Sequence, residues 1–185
     1  MVIVIIIIAV LLLFGLFFYN SIIGKKNQVT NAFSAIDVML KKRFDLIPNL
    51  VEVVKQYTDY EQGTLSKIVE LRTKATSGNV SDNEKAALDA QLSSSVKGLM
   101  VSVESYPDLK ANTNFINLQT TWTESEEQIA AARRTYNSSV TDYNNAIMMF
   151  PGNIFAGMLN FYPLTVLSTA EEERKNLSAK ELFNH

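Results

Sequence analysis

The stretch TNFINLQTTWTESEEQIAAARRTYNSSVTDYNNAIMMF, Thr113–Phe150, decides the fold class. Its stripe runs Phe115, Leu118, Trp122, Ser125, Ile129, Ala132, Tyr136, Val140, Tyr143, Ile147 and Phe150. Every step is three or four residues, which places the whole set on one face of a long amphipathic helix. No window of the chain sustains the step of two that a half-buried strand requires. Pro151-Gly152 ends this helix.

Upstream, a second helix opens at Ser81-Asp82-Asn83-Glu84, where serine with glutamate three residues on reads as a capping box. Its stripe is Leu88, Leu92, Val96, Leu99, Val103 and Tyr106, and Pro107-Asp108 marks a turn or a fresh start. A first soluble helix carries Phe33, Ile36, Leu40, Phe44, Ile47, Val51 and Val54, weakens, and resumes at Leu65, Ile68 and Leu71. Pro48 lies inside the pattern, yet the register holds across it. The reading is a kinked but continuous helix stopping near Gly78, with a break as the lesser possibility. At ~1.5 Å per residue such a helix reaches roughly 75 Å, far beyond its neighbours, so either it bends near Pro48 or Gly63 or one end of the third helix overhangs its neighbours.

The N-terminus differs in kind. MVIVIIIIAVLLLFGLFFYN runs apolar from Met1 to Tyr19, and all 17 basic and 19 acidic residues lie after residue 24. Nineteen helical residues span roughly 28 Å, close to the ~30 Å hydrocarbon core of a bilayer. A cleaved signal peptide wants a basic leader, a shorter apolar core and a small-residue cleavage site, and none is present. The segment therefore reads as an uncleaved transmembrane anchor. Ile3, Ile7, Leu11, Phe14 and Phe18 face lipid, and Tyr19 sits where an interfacial aromatic belongs. Lys25 and Lys26 follow at headgroup level. The positive-inside bias puts the N-terminus outside and the long C-terminal part in the cytoplasm.

Composition closes off most chemistry. The net charge of -2 argues against nucleic acid as a partner. The chain has no cysteine, and its single histidine is the terminal His185. Thiolate or imidazole nucleophiles and histidine-bearing metal sites are therefore not expected. The glycines are scattered, and no phosphate loop is present. No catalytic residue, metal or cofactor is assigned.

Met148–Leu167 contains no charged residue but is broken by Pro151, Gly152, Gly157 and Pro163. Three readings stand: a short helix packed on the bundle, a contact between subunits, or an interfacial or re-entrant membrane segment. Phe150, Ile154, Phe155, Met158 and Phe161 are the candidate oligomer contacts.

Several blocks carry a family likeness. They are AFSAIDVMLKKRFDLIPNLVEVVKQY (Ala32–Tyr57), SYPDLKANTNF (Ser105–Phe115), ARRTYN (Ala132–Asn137), Tyr143-Asn144 and FPGN (Phe150–Asn153). The chain resembles the bacterial LemA family over roughly residues 19–156. That resemblance implies an inner-membrane protein with one N-terminal anchor, a cytoplasmic helical domain and no established enzymatic activity. Its relatives include proteins associated with magnetosome membranes, which implies a membrane-shaping role by analogy. The chain departs from the family pattern at Tyr60-Glu61, where His-Glu is usual, and at Asn160-Phe161, where Gly-Phe is usual.

Polar motif residues receive structural roles first. Asp37 and Lys41 are spaced as an i,i+4 pair, and the Lys41-Lys42-Arg43 trio reads either as a solvated face or as part of a juxtamembrane basic belt. Asn49 is assigned the backbone groups freed at Pro48, Asn112 the cap of the third helix, and Arg133 a pairing with Glu126 or with another helix.

The expected fold is all-α: an N-terminal transmembrane helix, then an antiparallel bundle of three long helices plus a short C-terminal helix. The expected division is 1–24 anchor, 25–167 LemA-like coiled-coil bundle and 168–185 charged tail. The expected function is a non-enzymatic, single-pass scaffold of the bacterial inner membrane. Such a scaffold contacts lipid, forms homo-oligomers, and organises or remodels membrane. The alternative is a tethered adaptor that recruits a cytoplasmic partner protein.

Overall fold

The computed structural model describes residues 1–58, 61–78 and 80–167, with backbone alone at 82 and 83. The charged tail from residue 168 and Tyr60 lie outside the described residues. Every regular element among those described is helical: α1 (Val2–Phe44), α2 (Ile47–Lys55), α3 (Gln62–Ala75), α4 (Asp82–Ser102), a 3-10 turn (Val103–Ser105), α5 (Pro107–Lys110), α6 (Thr113–Met148) and α7 (Gly152–Met158). The all-α expectation holds. The anchor and the first soluble helix are one element, because nothing at Gly24 interrupts α1.

The kinked, continuous helix expected through Pro48 is corrected to a break. Proline has no N–H to donate to the carbonyl four residues back, and its ring crowds that carbonyl. That carbonyl belongs to Phe44, where α1 stops. Helix α2 restarts with Pro48 in its first turn, the position that tolerates it. The Phe44 carbonyl accepts a hydrogen bond from Arg72 Nε at 2.9 Å, the task assigned from sequence to Asn49. A second interruption separates α2 from α3 just before Gly63. Helix α3 ends at Ala75, ahead of the expected stop at Gly78.

The chain divides into two compact units, Met1–Ser34 with Ala132–His185, and Ala35–Ala131. In the second unit the stripes interlock. Phe44, Ile47, Leu50, Val54, Leu65, Ile68, Leu92, Val96, Leu99 and Leu109 are all nearly inaccessible. Each such side chain contributes about 1.5–3 kcal/mol by leaving water, so packing holds these helices. Local signals set their ends. Ser81 Oγ accepts from the Glu84 N–H at 3.4 Å, one half of the capping box. Asn112 Oδ1 accepts from the N–H groups of Asn114 (2.8 Å) and Phe115 (3.1 Å), capping α6. The Asn112 amide donates to the Tyr57 hydroxyl at 2.8 Å. The exposed pair Glu70–Lys74, at 2.6 Å, holds the Glu70 carboxyl below its usual range through a hydrogen bond and charge, and contributes little to stability.

In the first unit Ile22, Val29, Val140, Tyr143, Ile147 and Ala156 form the core. Phe33 meets Tyr136 edge-on at 5.7 Å between ring centroids. Along the α6 stripe Phe115, Trp122, Ser125, Ile129, Val140, Tyr143 and Ile147 are buried, and Leu118, Ala132 and Tyr136 are half-buried. Phe150, its last expected member, lies past the helix end and is 81% exposed.

Candidate functional site

The apolar run of α1 is bare. Ile3, Ile7, Leu11, Phe14 and Tyr19 are exposed and Phe18 is half-buried, although water rejects such surface. Its most apolar 18-residue window has a mean hydropathy of 3.3, and none of it is buried by the rest of the chain. This is the one helix among the described residues long and apolar enough to cross a membrane.

The uncharged segment after α6 docks against the last turns of that run. The Phe155 ring stacks on Phe18 at 5.5 Å and 6° and lies 6.4 Å from Phe14. Gly15 makes room, since a β-carbon there would sit 3.4 Å from Phe155 Cε1. One residue-length further up, Phe161 lies 6.4 Å from the Tyr19 ring, and Lys26 Nζ stands 5.9 Å above its face. Phe155 and Phe161, expected at a contact between subunits, thus also serve the chain's own packing. Phe150, Ile154 and Met158 point outward, at 81%, 53% and 77% exposure. Lys26 is exposed and Lys25 half-buried.

Two backbone constraints place this segment. At Gly152 a β-carbon would come 2.0 Å from the Ala146 carbonyl oxygen, so no side chain fits. At the end of α7, Asn160 adopts φ 56°, and the Phe161 N–H bonds the Ala156 carbonyl at 3.0 Å. This is a Schellman ending, in which asparagine tolerates the left-handed conformation that glycine adopts most readily. The departure at Asn160 therefore preserves the backbone that glycine would give.

Beyond it, residues 161–167 run extended along α6. Asn144 donates from Nδ2 to the Leu164 carbonyl (2.8 Å) and accepts from the Leu164 N–H (2.9 Å). Asn137 does the same with Leu167, at 3.0 and 2.8 Å. The Tyr143 hydroxyl donates to the Tyr162 carbonyl at 3.2 Å, and burial pushes its pKa up. The register is arithmetic: seven helical residues rise about 10.5 Å, and three extended residues cover about 10 Å. Asn144 was quoted in the family motif but given no role from sequence. Its signal was its spacing of seven from Asn137 on one helix face. Replacing both with alanine is expected to cost about 1 kcal/mol per lost pair and to abolish amide-exchange protection at Leu164 and Leu167, with helix content unchanged.

The second unit holds a buried ion cluster. Arg43, only 2% exposed, donates from Nη1 to Asp89 Oδ1 (3.2 Å) and Oδ2 (3.4 Å), and from Nη2 to Ser93 Oγ and to Glu126 Oε1 (2.7 Å). Its guanidinium carbon lies 4.2 Å from the Trp122 ring centroid. A headgroup-facing Arg43 is therefore ruled out, while Lys41 and Lys42 are exposed. Glu126 pairs with Arg43, and Asp37 pairs with Lys85 instead of Lys41. A cleft of about 810 Å³ between α2 and α3 is lined by Val51, Lys55, Thr58, Gln62, Leu65 and Val69 among others.

These features define an all-helical protein whose first helix has the length and apolarity of a membrane span. The chain belongs to the LemA family, whose match covers residues 32–180. It is similar to Protein LemA of Metamycoplasma hominis, 29% identical over 180 residues, which covers 94% of this chain and 82% of that protein. It is also similar to Magnetosome protein MamQ 2 of Paramagnetospirillum magneticum (23%) and to Magnetosome protein MamQ of Magnetospirillum gryphiswaldense (21%). Each of those two matches covers 168 residues, 77% of this chain and 62% of the relative.

Proposed function

We propose that this protein is a non-enzymatic, single-pass protein of the bacterial cytoplasmic membrane whose copies associate and so organise or remodel that membrane. The observation that carries the reading is the bare apolar surface of α1. The kinship with proteins named for the magnetosome supports a membrane-organising role. The lack of cysteine and of any internal histidine supports a non-catalytic one. Lys25 and Lys26 are proposed to meet anionic headgroups, each contributing about 1 kcal/mol, with the N-terminus outside.

Mass photometry of the full chain extracted with its lipid is expected to show a large homo-oligomer. A monomer at every concentration overturns self-association. Orientation is read separately. The chain has no native cysteine, so a single Val101→Cys variant should resist a membrane-impermeant maleimide in intact cells and react after permeabilisation.

A second reading, recruitment of a cytoplasmic partner, has the α2–α3 cleft in its favour. One heterologous protein recovered in stoichiometric amount by crosslinking in cells, and lost on Val69→Glu, would favour it.

A further inference from the structure

We propose that α7 and the turn before it form a second membrane-contacting element, a shallow insertion into the leaflet at the base of the anchor, with lipid as its occupant. The inference rests on the anchor reading and is independent of self-association.

Depth is the first argument. Phe155 sits against Phe14, Gly15 and Phe18, all inside the apolar run that ends at Tyr19. Phe14 is five residues before Tyr19, so its level is about 7.5 Å inside the interfacial ring. An element packed there is at the depth of about 5–10 Å that interfacial helices occupy. Phe161, touching Tyr19 and Lys26, marks the headgroup level of the same segment.

Continuity is the second. Ile154 and Met158 are one helical turn apart and exposed, while Ala156 between them is buried. Met148, Met149 and Phe150 extend the same bare surface into the turn. No charged residue occurs from Tyr143 to Ala170. A surface exposed to water carries charges at ordinary frequency, and this one has none where it adjoins the anchor. The backbone supports immersion as well. The α7 ending is closed by its own Ala156–Phe161 bond, and within the turn the Ile154 N–H bonds the Pro151 carbonyl. Groups at this depth cannot rely on water.

A second copy of the chain is the competing occupant. Lipid is favoured because the surface is continuous with the anchor's lipid-facing one.

The test uses full-length protein in vesicles of phosphatidylethanolamine and phosphatidylglycerol, with single-cysteine variants Leu11→Cys, Thr141→Cys, Ile154→Cys and Met158→Cys carrying an environment-sensitive fluorophore. Expected is blue-shifted emission at 154 and 158, lost to lipids with a nitroxide high on the acyl chain and spared by one placed deep. Position 11 should show the reverse, and 141 should read as water. The pattern should persist when vesicles hold a single copy. Adding Ile154→Glu and Met158→Glu, at side chains that face outward, should return a label at Phe150→Cys to water.

Water-like emission at 154 and 158 with deep quenching at 11 overturns the proposal and leaves the anchor intact. Shielding that vanishes on dilution assigns the surface to a second copy and also overturns it. Water-like emission at 11 removes the anchor reading and this inference together.

Discussion

Arg43→Ala is expected to destabilise the full chain by about 3 kcal/mol, near the lower end of what breaking a buried ion pair costs. The guanidinium and the Asp89 carboxylate are almost wholly removed from water, at 2% and 3% exposure. Truncation withdraws the arginine from a carboxylate that remains inside, and also removes the cation from the Trp122 face. Glu126 is 46% exposed at its side chain and can regain water. Converting both buried partners, Arg43→Met with Asp89→Leu, should therefore recover most of the loss, since an apolar pair of similar volume avoids the desolvation penalty. Arg43→Lys should fall between, because a single ammonium cannot fork toward Asp89, Ser93 and Glu126 together. Urea titrations followed by far-UV circular dichroism check the order, and Trp122, the chain's only tryptophan, reports from within the cluster. A double variant no more stable than Arg43→Ala would contradict this account.

Gly152→Ala is the second large effect. The added methyl would lie 2.0 Å from a main-chain oxygen of Ala146, which no rotamer change relieves. Either α6 frays by a turn or α7 leaves its seat on Phe14 and Phe18. Overpacking of this kind costs about 1–3 kcal/mol, and contact with backbone rather than a mobile side chain puts it at the upper end. The signature is local: amide exchange should accelerate at Phe155 and Phe161, while exchange around Leu92 and Leu99 stays as it was. Uniform acceleration in both places would show that the turn is not the point of failure.

How far the residues themselves announced these features varies with the physics behind each. The α6 helix was legible because burial imposes a period on apolar residues, and the bare run of α1 because it is apolar from Met1 to Tyr19 with only Gly15 between. The Pro48 break was misjudged for a physical reason. A two-residue interruption at Asp45-Leu46 returns the chain nearly in phase, so the stripe looks unbroken. The ion cluster was missed although its spacing was present. Asp89, Leu92, Val96, Leu99 and Val103 step by three and four. Arg43 lies between Leu40 and Ile47, and Glu126 between Trp122 and Ile129, on the same rhythm. A pattern search that counts only apolar residues passes over charges in core positions, and opposite charges on separate helices identify one another only after folding. The seat of α7 on the anchor was illegible too, since no local rule connects Phe155 with Phe18 across 137 positions of chain.

The asparagine pair on α6 acts as a ruler. Because Asn137 and Asn144 grip peptide groups three residues apart, one added residue between Leu164 and Leu167 would displace the second grip by about 3.3 Å, beyond hydrogen-bond reach. Insertions and deletions are thus forbidden within that short interval, so natural length variation in this part of the protein should avoid residues 164–167.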